Sequence, residues 1–157
     1  MFGTDYDEAG SYEEFRIELI SDPSRSGFRL NAISPLGESV TFDYQPPVSR
    51  GEVEEVFAGL SRATQQFTRS APRSTADEVR ALGERLFNSL CENRVATLYN
   101  HAFGVARQSG QNLRLRIVLN HAELAALPWE FLFDPSRKDF ITLSTRSPLV
   151  RQWELST

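Results

Sequence analysis

Residues 113–134, LRLRIVLNHAELAALPWEFLFD, decide the fold. Leu113, Leu115, Ile117 and Leu119 alternate with Arg114, Arg116 and Val118, a period of two that sets one apolar face against a core and two guanidiniums on the other. That is a half-buried strand. Glu123, Leu124 and Leu127 follow on a short helical turn, with His121 placed to precede or cap it, and Pro128 then opens a new segment because it cannot continue a helix. Trp129, Phe131 and Phe133 bring more apolar area than a surface loop carries, so this segment forms core.

Downstream, 136–139 reads as an exposed turn into a strand over 140–144, and a further short strand is expected over 149–152. Upstream, residues 1–11 are acidic and aperiodic, a loose lead-in. Three alternating runs then fill 12–45: Phe15, Ile17 and Leu19; Phe28, Leu30 and Ala32; Val40, Phe42 and Tyr44. Turn signals at 22–27 and 35–37 separate them, so they read as an antiparallel meander that Pro46-Pro47 ends.

Helical periods occupy 49–108. Ser49 and Glu52 have the spacing of a capping box, followed by a stripe of Val53, Val56, Phe57, Leu60 and Phe67. A link over 68–73 leads to a second cap at Ser74 or Thr75 and a stripe of Val79, Leu82, Leu86, Phe87 and Leu90, in which Gly83 marks a close approach of two elements. Beyond a break at Glu92-Asn93, a third stripe carries Val95, Leu98, Tyr99, Ala102 and Ala106. Strands, then helices, then strands predict an α+β, mixed α/β fold in one compact domain over 1–157, with helices covering one face of a sheet.

Composition narrows the function. A formal net charge of −4 gives no basic field for a phosphate backbone, so no nucleic acid partner is expected. A single Cys forms no internal disulfide, and no apolar run approaches a membrane span, which points to a reducing cytoplasm and no membrane. The nine glycines are scattered rather than gathered into a phosphate-cradling loop. One Cys and two His cannot make a closed zinc site, and Asp5, Asp7 and Glu8 lack the glycine and bidentate glutamate of a calcium loop. No metal and no cofactor are expected. The adjacent pairs Glu13-Glu14 and Glu54-Glu55 read as solvated carboxylates.

The ordered set of the Leu-Arg-Leu-Arg strand, Glu123-Leu124-Ala125-Ala126, Leu127-Pro128-Trp129-Glu130, Asp134-Pro135, Phe140-Ile141-Thr142-Leu143-Ser144 and Ser147-Pro148-Leu149-Val150-Arg151 resembles the bacterial CHAT family of caspase-like cysteine proteases. The likeness extends more loosely back through 82–87 and the amino-terminal strands. It implies the region preceding the catalytic half, whose His and Cys follow further on in the family. It also implies carboxy-terminal strands that lead into a caspase-like sheet. No catalytic residue is expected within these residues: Cys91 reads as a buried small hydrophobe on a helix stripe, and His101 and His121 as packed or solvated imidazoles.

The expectation is a non-catalytic structural and regulatory domain that packs against a downstream caspase-like protease segment. A protein activator or substrate is a further expected partner, and a homo-oligomer is possible. The resemblance places the parent cysteine endopeptidase in bacterial antiviral defence or cell death. The alternative is a self-standing interaction or oligomerisation module without a protease half. The residues singled out for interaction are Trp129, Glu130, Arg114, Arg116, Arg146 and Arg151. Trp129 and Glu130 form either a cation-holding pocket or a core anchor whose carboxylate pairs with Arg114, Arg116, Arg146 or Arg151, and Arg146 and Arg151 are either surface charge or forks for a carboxylate on a neighbouring domain.

Overall fold

The computed structural model describes residues 11–65, 73–92, 94–143 and 149–154. The fold is α+β: one five-stranded sheet and three long helices. Strands β1 (Tyr12–Ser21), β2 (Phe28–Ile33) and β3 (Ser39–Tyr44) form the expected antiparallel meander. The first turn is built by Asp22, whose carboxylate accepts from the Ser24 amide and hydroxyl, and by Gly27 at φ +108°.

Helix α1 (Arg50–Gln65) opens on the capping box: the Glu52 amide donates to Ser49 Oγ at 3.2 Å, and the Ser49 amide to Glu52 Oε1 at 3.3 Å. Helices α2 (Arg73–Leu90) and α3 (Arg94–Gln108) follow, divided near the expected break, and each buries all five residues of its predicted stripe. Strand β4 (Asn112–Leu119) then enters beside β1, parallel to it and in register from Tyr12 with Asn112 to Leu19 with Leu119. A short helix α4 (Ala122–Ala125), a 3-10 turn at Trp129–Phe131, a small hairpin of β5 (Phe133–Asp134) and β6 (Asp139–Phe140), and a second 3-10 turn at Ile141–Leu143 carry the chain to β7 (Leu149–Trp153). That strand lies parallel to β4, giving the order β3-β2-β1-β4-β7.

The apolar sides of the strands and the buried faces of the helices share one cluster, from Phe15, Ile17 and Leu30 through Leu86 and Tyr99 to Ile117 and Trp129. All the helices therefore pack on one face of the sheet. Tyr44 closes this core at the sheet's end. Its hydroxyl meets Ser89 Oγ at 2.8 Å, and burial pushes its pKa up to about 12.

Four expectations change. The strand over 140–144 is only two residues long, because the Ile141 amide turns back to the Leu132 carbonyl at 3.0 Å and buries its side chain. Helix α2 starts at Arg73, ahead of either proposed cap. Phe57 belongs to the α1 stripe yet is 41% exposed. Glu14 is not merely solvated, as shown below. The lead-in up to Gly10, Phe67 and the link over 68–72, Asn93, Ser144 and Arg146 lie outside the described residues.

Gly83 is the close approach that its position predicts. A Cβ there would lie 1.8 Å from the Phe131 carbonyl oxygen and 3.2 Å from the Phe133 Cβ. No helix backbone and turn backbone separate by more than an ångström without repacking. Gly83→Ala is therefore expected to cost about 2–3 kcal/mol by overpacking. Gly104→Ala on the exposed side of α3, where nothing lies within 4 Å, is expected to stabilise by about 0.5–1 kcal/mol through helix propensity. Urea denaturation of the two variants checks the pair, and equal effects would refute the close approach.

Candidate functional site

The sheet face opposite the helices carries the two guanidiniums of the Leu-Arg-Leu-Arg strand. Parallel register sets Glu14 of β1 across from Arg114, two residues from Arg116. Glu14 accepts from Arg114 Nη2 at 2.8 Å and Nε at 3.2 Å through one oxygen, and from Arg116 Nε at 2.7 Å through the other. Arg116 also reaches Gln152 Oε1 on β7 at 2.8 Å. Further along β1, Glu18 is held by Arg16 of the same strand at 3.2 Å and by Asn31 of β2 at 2.9 Å. This polar lattice has two parts, one joining β1 to β2 through Glu18 and one joining β1, β4 and β7 through Glu14 and Arg116. The Arg116 hydrogen bond, joined by Arg114, holds the Glu14 carboxyl below the usual glutamate range against the opposing effect of burial.

The Leu-Pro-Trp-Glu turn sits on the other face. Trp129 is 0% exposed, and its indole N–H donates to the Leu124 carbonyl at 2.9 Å. A side chain so enclosed is a core anchor. It is not available as a pocket for a partner's cation, which removes Trp129 from the set of contact residues. Glu130 points outward, with its side chain 56% exposed, and Arg151 Nη1 of β7 donates to it at 2.8 Å. The other Arg151 nitrogen donates to the Ala125 carbonyl. Arg151 therefore ties both flanks of the Leu-Pro-Trp-Glu turn to β7. Arg114 and Arg116, the other candidates near Glu130, serve Glu14 instead.

Sequence reasoning missed Glu14 and the pair Asp134–Arg137. Asp134 is buried, accepts from Ser136 and Arg137, and Arg137 lies 3.6 Å over the Phe103 ring. A carboxylate beside Pro135 at the end of an apolar run signals an Asx turn but does not name the cation that meets it.

Cys91, His101 and His121 are not linked by any hydrogen bond or ring contact among the described residues. Cys91 packs partly buried against the core, where burial first and the nearby Asp134 carboxylate second push its thiol up to about 12, against a smaller opposing pull from Arg137. His101 is exposed on α3. His121 caps α4, its Nδ1 accepting from the Glu123 amide at 3.2 Å, and its ring meets Phe28 edge-on at 5.2 Å. Among the described residues no cluster of three or more His, Cys, Asp or Glu is placed to hold a metal ion, and no helix is long and apolar enough to cross a membrane.

No family model, curated protein or solved structure matches this chain. The functional reading therefore rests on its own residues.

Two outcomes follow from this chemistry. Because Glu14 titrates lower in the folded chain, its contribution to stability is complete above the ordinary glutamate value of about 4.3 and is lost as pH falls through the lower folded value. The urea midpoints of the native chain and Glu14→Gln are expected to differ most near neutral pH and to converge below about pH 4. A gap that ignores pH would refute the fork. For Cys91, disulfide-exchange labelling at pH 8 is expected to run at least about 100-fold slower in the native chain than in urea, and comparable rates would show an accessible thiolate.

Proposed function

We propose that these residues form the non-catalytic, amino-terminal structural and regulatory domain of a CHAT-like, caspase-like cysteine protease. The observation that carries the reading is the place of Leu-Pro-Trp-Glu. This turn lies in the connection between two adjacent parallel strands, and β7, where the connection ends, is the last strand of the sheet among the described residues. A sheet edge without proline or bulge offers its outer backbone donors and acceptors to a following β-segment. The domain would pack against a caspase-like protease segment there and pass partner binding on to it.

On this reading the chain has no peptidase activity of its own, because its one thiol is held as the neutral acid and neither imidazole meets it. The parent would be a cysteine endopeptidase acting on a protein in bacterial antiviral defence or cell death. A reducing cytoplasm suits a lone free cysteine. The net charge of −4 argues against a nucleic acid partner.

A second reading, a self-associating module without a protease half, is favoured by Trp153. It ends the edge strand with 48% of its surface exposed, an aromatic suited to pairing with another copy.

Light scattering on the chain, alone and mixed with a separately expressed caspase-like segment from the same reading frame, separates the two. The protease reading expects a stable 1:1 complex and peptide cleavage only in that complex. A defined homo-oligomer that ignores the segment would establish the self-standing module instead.

A further inference from the structure

Between the first half of α1 and the α4 turn lies a cleft of about 790 Å³ that the polar lattice and the Leu-Pro-Trp-Glu anchor do not use. Its α1 wall is a single helical stripe, Arg50, Val53, Glu54 and Phe57, at successive spacings of a 3.6-residue period. The facing wall presents Ala126 and Leu127, with Glu123 at the rim. The lining is mainly apolar. Phe57 is the exposed large apolar side chain of this lining, and its ring leans on Phe131 with centroids 5.7 Å apart, which holds an aromatic surface open to solvent.

We infer that this cleft receives a short amphipathic helix from a partner protein, with large apolar side chains against Phe57 and a Lys or Arg against Glu123. Two observations select that occupant. The first is backbone supply. The α1 and α4 walls are helical, the remaining lining at Pro46, Val48 and Ser49 belongs to no strand, the start of α1 is closed by the Ser49–Glu52 box, and the α4 cap is closed by His121. An extended peptide would find no ladder to pair with, whereas a helix satisfies its own amides and needs only side-chain contact.

The second is charge. Arg50 is already paired with Glu54 at 3.2 Å, while the Glu123 carboxylate on the other wall has no hydrogen-bond or ion-pair partner among the described residues. With Arg50, Glu54 and Glu123 as its charged residues, the lining carries one net negative charge, and a basic residue on the incoming helix complements it. No residue of β7 lines the cleft, so this site stands apart from the protease reading.

The test uses the whole chain, immobilised and challenged with a display library of 16-residue helix-forming peptides. Phe57→Ser and Glu123→Lys serve as comparison targets; both positions are exposed, and a thermal melt checks that each variant folds. The expected winners carry large apolar residues at i, i+3 or i+4, and i+7, beside a Lys or Arg. They bind the native chain at least about tenfold more tightly than Phe57→Ser. Against Glu123→Lys they lose about fivefold at low salt, and changing their basic residue to Glu restores binding to that variant. Failure to enrich any peptide overturns the inference, as do winners without a basic residue and winners that bind both variants as well as the native chain. Competition of an enriched peptide by a small apolar compound alone, with no dependence on Glu123, would reassign the cleft to a small ligand and likewise overturn it.

Discussion

Strands β1 and β4 pair in parallel although their hydrogen-bonded side chains lie a hundred residues apart in sequence. Two strands running the same way cannot be joined by a tight turn; the connection must travel back along the sheet. Here it takes β2, β3 and all three long helices between them. That constraint explains why the helices gather on one face and why the meander stands at one side of the sheet, with β4 and β7 at the other. On the core side the pairing aligns Phe15, Ile17 and Leu19 with Leu115, Ile117 and Leu119, all fully buried. On the far side it brings Glu14 between two arginines. One register serves both faces, and a slip of a single residue would turn each set the wrong way.

The second parallel connection, from β4 to β7, is far shorter and has no long helix to cover the sheet. It manages with aromatic bulk. Trp129 fills the space that a helix would otherwise fill, hydrogen-bonded within its own turn so that no polar group is left stranded. Phe131 reaches Phe57 on α1, and Phe133 lies under the Arg80 guanidinium of α2 at 4.5 Å. Gly83 permits this only because it has no side chain. The same turn then exposes Glu130 to Arg151, so the last strand is fixed by an ion pair at the surface and a carbonyl contact below it. Pairs as exposed as Glu130–Arg151 contribute about 0.2–1 kcal/mol, so the turn is held chiefly by its buried rings.

The elements that were legible in the sequence share a property: their signals are local. Alternation in 12–45, the Ser49–Glu52 box, the stripes of α2 and α3, and Gly83 each depend on residues within a turn or two, and each took its expected place. Arg151 was among the partners considered for Glu130 because the same run of residues contains both. What was hidden depends on pairing at a distance. Glu14 looked like half of a solvated acidic pair because nothing near it in sequence says that β4 will lie beside β1. The shortening of the strand at Ile141 has a similar cause, since its amide is claimed by Leu132 across the hairpin. Phe57 reads as core from its period alone, yet among the described residues no element covers its ring beyond the contact with Phe131.

The open face of the sheet bears on where partners bind. Strands β1, β4 and β7 form a parallel half-sheet, and parallel sheets are usually covered on both sides. This one tolerates exposure because its middle is covered by paired charges, Glu14 with Arg114 and Arg116 and Glu18 with Arg16, while apolar Val118 beside them is buried. The same saturation makes Arg114 and Arg116 poor contacts for a newcomer. A docking carboxylate would have to displace Glu14, which already accepts three hydrogen bonds from the two guanidiniums, and a part-exposed ion pair returns little for that exchange. The places with unspent capacity are elsewhere: the outer ladder of β7 beside Trp153, and the α1 cleft with Phe57 and Glu123. Charged residues picked from a sequence as contact points can thus prove to be fully occupied within the fold, and the surface left for recognition is the part whose apolar and ionic groups have no partner at home.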